Sequence, residues 1–390
     1  LNKRIFGTLF FSIFATVTGV GIVVPLLPVY AHHLGAGGLY IGMIFAAFSF
    51  SRTVFLPYFG RASDTRGRKP FITLGLFAYA LISAAFILAH DVDSLIILRF
   101  VQGIASAMIM PVVQAYVGDI TPAGKEGSVM GVFNMSMFTG LSLGPLVGGF
   151  INDRFSLQSS FMCMGALALM GFFLSLFLLP PRRLEQVVCQ NHPPVAWRRL
   201  AQDRHIAALF FFRFAYTCCI GVIWGFVPVY ADARFSLTSS AIGILIMAGV
   251  LVSGLVHLPM GYLADRVNRR RLVLIGGLIV TGAVFSYALA GGFQGMLLCS
   301  LCFGIGGGMS MPALMAISVQ CGVKSRAMGS VMALLTMAHS LGMLAGSMLA
   351  GVMMEVLQLR YAFILGALLM LLGSGLFFAL SQAGSVRSEA

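Results

Sequence analysis

Three arginines and two histidines stand inside stretches that are otherwise almost wholly apolar: Arg52, Arg99, Arg213, His257 and His339. A guanidinium stays charged and carries five N–H donors in a fixed fork, so it can hold an oxyanion or polarise a proton-bearing neighbour. An imidazole changes charge near neutral pH and can take up or release a proton. An arginine deep in an apolar run is expensive, so function is the default reading for Arg99. Arg52 stands five residues before Pro57. Arg213 lies about two turns from the end of its run, close enough to extend its stem and carry the charge to the polar boundary. A single histidine in an apolar helix is more often hydrogen-bonded than functional, so His257 and His339 are weaker candidates.

Polar and aromatic residues recur around these groups at helical spacing. Arg99, Gln102, Ser106, Met110 and Gln114 follow each other at three or four and share one helix face. Asn134, Phe138 and Ser142 recur at four, and Arg213, Tyr216, Thr217 and Trp224 form a further polar and aromatic surface. These residues, with Arg52, His257 and His339, are the candidates for substrate binding and proton coupling. No acid joins them. Asp64, Asp91, Asp93, Asp119, Glu126, Asp153, Glu185, Asp203, Asp232, Asp265, Glu355 and Glu389 all fall at the ends of apolar runs or between them. Cations without carboxylates repel lipophilic cations and suit anionic, zwitterionic or neutral amphipathic molecules. The 33 Phe and 23 Met would furnish an adaptable pocket, although apolar helices bury the same residues against lipid.

No nucleophile–base pair or metal cluster is visible, and the glycine run Gly304 to Gly308 lies within an apolar span, not after a strand as a phosphate loop would. No enzyme activity, cofactor or metal is expected. Cys299 and Cys302 have redox spacing but no second pair, and read as small packed hydrophobes.

The elements that must position these residues follow from composition. Of 390 residues 59% are hydrophobic and 9% charged, against roughly 25% charged in a soluble domain. Such a chain is a polytopic membrane protein. Twelve helical spans are expected, near 5–31, 38–60, 71–90, 95–118, 128–152, 158–179, 206–232, 239–263, 272–291, 294–319, 327–355 and 360–381. The first run, Ile5 to Tyr30, is too long for a signal-peptide core and lacks a small-residue cleavage site, so it reads as a span. Residues 181–205, rich in Arg and Pro, read as a linker with room for a short surface helix near Trp197.

The net charge of +13 points to topology and anionic headgroups, not to nucleic acid. Arg154, Arg234 and Arg360 lie on one side of the spans, and Arg52, Arg99 and Arg213 within them; the rest of the 25 Lys and Arg lie on the side of both termini. That asymmetry places both termini and the linker in the cytoplasm of a multi-pass inner-membrane protein.

The chain also repeats itself. Pro28-Val29-Tyr30-Ala31 returns as Pro228-Val229-Tyr230-Ala231, Ile41-Gly42 as Ile242-Gly243, Gly103 as Gly304, and Gly140 as Gly342, at a nearly constant offset. Two six-helix halves, 1–180 and 206–390, joined by the linker and related by an axis along the membrane normal, account for this. In such an all-α fold substrate sits between the halves near the midplane.

Four stretches carry a family resemblance. Gly60 to Lys69 reads GRASDTRGRK and returns as GYLADRVNRR from Gly261 to Arg270. It resembles the loop between helices 2 and 3 of the major facilitator superfamily, G-x-x-x-D-R-x-G-R-R/K. Gly60, Asp64, Gly67, Arg68 and Lys69 match, Thr65 departs, and Asn268 replaces the second glycine in the later copy. Gly19 to Tyr30 is similar to the opening of the twelve-helix drug:proton antiporters. Leu95 to Gly103 is similar to L-x-x-x-R-x-x-Q-G, associated with proton coupling. Gly140, Gly144, Pro145, Gly148 and Gly149 fill every fixed position of the antiporter pattern G-x-x-x-G-P-x-x-G-G, with Gly342 and Gly346 the expected packing partners on helix 11.

The resemblance implies a secondary transporter: proton-linked efflux of an amphipathic small molecule by a monomer using alternating access. A carrier of organic anions or siderophores without proton coupling is the alternative, and a lipid flippase or membrane receptor on the same scaffold is a third reading. It also implies a conformational gate at the basic corner. There Arg68 would pair with Asp119, and Asp64 would meet the N–H groups opening helix 11 at 327–330. Asp265 and Arg269 repeat the device more weakly, because Gln320 stands in the place of Asp119.

Overall fold

Apolar runs of this length must satisfy their own backbone hydrogen bonds, and they do so as helices. The computed structural model describes residues 3–122, 126–180, 203–264, 266–325 and 328–382. Among them the chain forms twelve α-helices and no strand: α1 (Lys3–His33), α2 (Gly38–Arg66), α3 (Arg68–Ile87), α4 (Val92–Ile120), α5 (Glu126–Arg154), α6 (Leu157–Leu178), α7 (Arg204–Phe235), α8 (Ser239–Ala264), α9 (Arg269–Tyr287), α10 (Phe293–Lys324), α11 (Met328–Val356) and α12 (Leu359–Gln382). Eleven are long and apolar enough to cross a membrane. The remaining helix, α5, has 29 residues, enough to span by length. The expected surface helix near Trp197 lies outside the described residues.

Prolines fall inside the helices at repeating places: Pro57 in α2 and Pro259 in α8, Pro111 in α4 and Pro312 in α10. Buried helices tolerate such breaks where neighbouring groups satisfy the freed carbonyls.

Two compact units are present. The first comprises Leu1–Ala36, Met43–Cys189 and Asp232–Met247, and the second Gly37–Gly42, Gln190–Ala231 and Ala248–Ala390. In the first, α1 packs on α4, α5 and α6, and α3 packs on α4 and α6. In the second, α9 packs on α10 and α12, and α11 on α10 and α12.

The antiporter glycines press on α1, and this corrects the expectation that they meet Gly342 and Gly346. A Cβ on Gly144 would stand 2.5 Å from the Thr18 carbonyl oxygen and 2.7 Å from the Gly21 Cα, and one on Gly148 would stand 2.7 Å from the Ile22 carbonyl oxygen. Gly342 and Gly346 do the equivalent in the second unit, against Thr217 and Cys218 of α7. The stripe is a helix–helix seam within each unit. Gly149 faces the carbonyl of Ser239 at the opening of α8.

The basic corner is not a loop of ten residues. α2 continues through Gly60 and Asp64 to Arg66, and the chain breaks only at Gly67, whose φ of 92° is left-handed. Gly67 is therefore required by backbone conformation. Among the described residues, no atom outside the helix's own backbone lies within 4 Å of the position a Cβ on Gly60 would take. In the second copy Asn268 has an ordinary φ of −60° and caps α9 by accepting from the Arg270 N–H at 3.0 Å.

At the opposite helix ends two carboxylates repeat one contact. Asp153, near the end of α5, accepts from the backbone N–H of Ser239 at 3.0 Å and of Ser240 at 2.7 Å. Glu355, near the end of α11, accepts from the backbone N–H of Leu39 at 3.0 Å. A carboxylate is favoured at such helix openings, where N–H groups lack partners and the dipole is positive.

Candidate functional site

In the first unit α2 presents Phe45, Phe48 and Arg52 one and two turns apart, and α4 presents Arg99 and Gln102. Arg99 is only 2% exposed. Its Nη1 donates to the Gln102 Oε1 at 2.8 Å, and its guanidinium carbon lies 4.6 Å from the Phe48 ring centre and 5.2 Å from that of Phe45. Cation–π attraction of this kind reaches about 2 kcal/mol when desolvated. Gln102 in turn points its amide at the Met164 sulfur, 3.9 Å away.

Close approach of α2 and α4 depends on Gly103, because a Cβ there would collide with Ser51 and the Phe48 carbonyl. Tyr79 of α3 is 1% exposed. Its hydroxyl, and the Nε atoms of Arg52 and Arg99, have no hydrogen-bond partner among the described residues. No carboxylate forms a salt bridge with either arginine among those residues.

The second unit carries a related cluster. Arg213 of α7 donates from Nη1 to the Met311 sulfur at 2.6 Å, and its Nη2 lies 3.3 Å from the His339 Nδ1 of α11. Arg213 therefore does not simply reach for the boundary: it is held between α10 and α11. Beside it the Tyr216 ring stacks on Phe303, with ring centres 5.7 Å apart and planes 7° from parallel.

At the basic corner Arg68 gathers several partners. Its Nε donates to the Asp119 Oδ2 at 3.2 Å, and its Nη1 donates to the Ser63 Oγ at 2.7 Å and contacts Asp64. Lys69 donates to the Leu179 carbonyl, tying the corner to the end of α6. In the second copy Arg269 donates from Nε to the Ala264 carbonyl at 2.8 Å. Asp265 lies outside the described residues, as do the side chains at 326–330 toward which Asp64 was expected to face.

Twelve helices, internal repetition and this corner meet in one comparison: the sequence pattern of the Major Facilitator Superfamily matches residues 9–234 and again 209–390. The chain belongs to the major facilitator superfamily. It is a multi-pass membrane transporter and not an enzyme.

Within the superfamily it is 27% identical to multidrug resistance protein 2 of Bacillus subtilis over 385 residues, 96% of this chain and 94% of that one. It is 34% identical to the quinolone resistance protein NorA of Staphylococcus aureus over 179 residues, 46% of each chain. Among solved structures, a variant of the nucleoside transporter NupG shares the fold with a TM-score of 0.84 at 13% identity, covering 96% of this chain and 99% of that one.

The remaining sequence candidates divide by burial. On α4, Gln102 and Ser106 are buried with Arg99, Met110 is half-buried, and Gln114 is exposed, its amide 3.9 Å from the Met137 sulfur. The expected single α4 face thus runs from core to surface. On α5, Ser142 is buried and donates to the Phe138 carbonyl at 2.7 Å, whereas Asn134 is exposed. Trp224 on α7 and His257 on α8 are half-buried.

Sequence reasoning missed Phe45, Phe48, Tyr79 and Met311. The 45–48–52 spacing on α2 was a usable signal for the first two, since it sets both rings on the face that carries Arg52.

Proposed function

We propose that this transporter exports amphipathic small molecules, neutral or anionic, in exchange for protons. The observation that carries the reading is Arg99. It is held by Gln102 and two phenylalanine rings, with no carboxylate bound to it among the described residues. A fixed buried cation lowers the energy of an anionic or electron-rich guest and raises that of a cation.

The relatives named for multidrug and quinolone resistance support a drug-like cargo. His339 is the proposed proton carrier: it is a titratable side chain whose Nδ1 lies 3.3 Å from the Arg213 Nη2. The charge asymmetry of the connecting segments supports cytoplasmic termini, and the proposed unit is a monomer of two functional halves, 1–180 and 206–390. The antiporter glycines and the Arg68 corner supply the seam and the conformational gate.

Proteoliposomes with an imposed pH gradient test this. Flux of an amphipathic anion should follow the gradient and collapse with it. A second reading, an organic-anion facilitator without proton coupling, is favoured by the lack of any carboxylate away from the helix ends among the described residues. It predicts the same flux with the gradient abolished.

A further inference from the structure

The second copy of the basic corner borders a recess. It has a volume of about 560 Å³ and opens where the start of α7, the end of α8, the start of α9 and the end of α10 meet, all within the second unit. Arg266, Arg269 and Arg270 line it, together with His205, Gln320 and one described carboxylate, Asp203.

That carboxylate is engaged. Asp203 Oδ1 accepts from the backbone N–H of His205 at 2.8 Å and of Ile206 at 3.4 Å, capping α7. Gln320 stands by repeat where the first copy has Asp119, the acid to which Arg68 donates. The swap removes a negative charge from this corner. Even with the neighbouring Asp265 counted from the sequence, three arginines outnumber two carboxylates.

Guanidinium forks match phosphate oxygens in geometry as well as charge. The recess lies at the ends of four membrane-crossing helices, the level at which lipid headgroups sit. Its volume is in the range of small-molecule sites, roughly 300–1,000 Å³, so a bare phosphate would leave most of it to water. Apolar surface adjoins the charge: Tyr262 and Val267 are exposed at the end of α8, and the Arg266 guanidinium lies 4.2 Å from the Tyr262 ring centre.

We propose that this recess binds the phosphodiester headgroup of an anionic phospholipid, with Arg266 and Arg270 as its principal contacts. The site goes beyond the transport reading and does not depend on cargo, direction or proton coupling.

The test is a melting measurement on the purified full-length protein in neutral detergent, with added phosphatidylglycerol, phosphatidylcholine or inorganic phosphate. Binding to the folded state raises the melting temperature. Phosphatidylglycerol should raise it and phosphatidylcholine should not. Arg266→Gln with Arg270→Gln should remove more than half of the shift. Removing two exposed arginines of the first copy, Arg61→Gln with Arg66→Gln, should leave it intact.

Should the glutamine pair fail to fold, Arg266→Lys with Arg270→Lys, which keeps charge and loses the fork, should reduce the shift. Three results would overturn the proposal: equal loss in the first-copy control, which marks a general charge effect; an equal shift with inorganic phosphate, which marks a free-anion site; or no shift with phosphatidylglycerol.

Discussion

Arg99 and Gln102 are one turn apart on α4 and joined by a hydrogen bond of 2.8 Å, with both side chains buried. The bond fixes one arm of the guanidinium and leaves the Nε without a partner among the described residues. Arg99→Ala removes a charge-assisted donor of the kind worth about 1.5–3 kcal/mol, or roughly ten- to a hundredfold in rate if that energy is expressed in the transport step. Coupled transport should fall by that factor while the protein inserts normally. Arg99→Lys, which keeps the charge but not the fork, should fall less. Gradient-driven flux in proteoliposomes, normalised to inserted protein, checks both.

His339 should separate coupling from passage. His339→Gln keeps a polar group near Arg213 and removes the titration. Downhill flux of substrate should persist, and its acceleration by a pH gradient should vanish. Equal acceleration in the variant and the parent would remove His339 from the proton path.

Gly144 should be intolerant of any side chain. Its neighbours are backbone atoms of Thr18 and Gly21, which cannot rotate away. Gly144→Ala must spread α1 and α5, at a cost of about 1–3 kcal/mol for overpacking. Gly282 on α9 has no atom outside its own helix within 4 Å of its Cβ position among the described residues, so Gly282→Ala is the matched control and should not lower the melting temperature.

The two basic corners should differ under the same substitution. Arg68 links Asp64, Asp119 and Ser63, whereas in the second copy Gln320 replaces the outer acid. Both carboxylates at the first corner are about half exposed, 51% and 46%, so each pair contributes about 0.2–1 kcal/mol to static stability. The larger effect is expected in transport. Asp64→Asn should slow flux more than Asp265→Asn, and equal slowing would reduce the corners to topology signals.

Much of this architecture was legible because membrane helices announce themselves by length and apolarity. The α8 and α10 starts were placed within a residue, and the Arg68–Asp119 contact was implied by the family motif. The end of α2 was not. Charged residues from Arg61 to Arg66 read as a loop, yet a helix can continue past the apolar core as long as its backbone bonds are made internally, and only Gly67 forced the break.

Contacts across helices were harder to read. Phe45 and Phe48 were two phenylalanines among 33, and nothing in their type marked them as the seat of Arg99. Tyr79 and Met311 join the clusters through the rotation of α3 and α10, which packing sets and periodicity does not. The α5 glycines announced a seam correctly but not its partner, since Gly342 and Gly346 carry the same spacing as α1's true neighbours.

Arg99, buried with no carboxylate bound to it among the described residues, should select against cations. Competition for a single bound fluorescent amphipath, measured across a panel of matched anionic, neutral and quaternary-ammonium compounds of equal lipophilicity, tests it most directly. Anions and neutral compounds should displace the probe at lower concentration than the quaternary ammonium does, and Arg99→Ala should narrow the gap. A panel led by the quaternary ammonium compounds, with Arg99 intact, would contradict it.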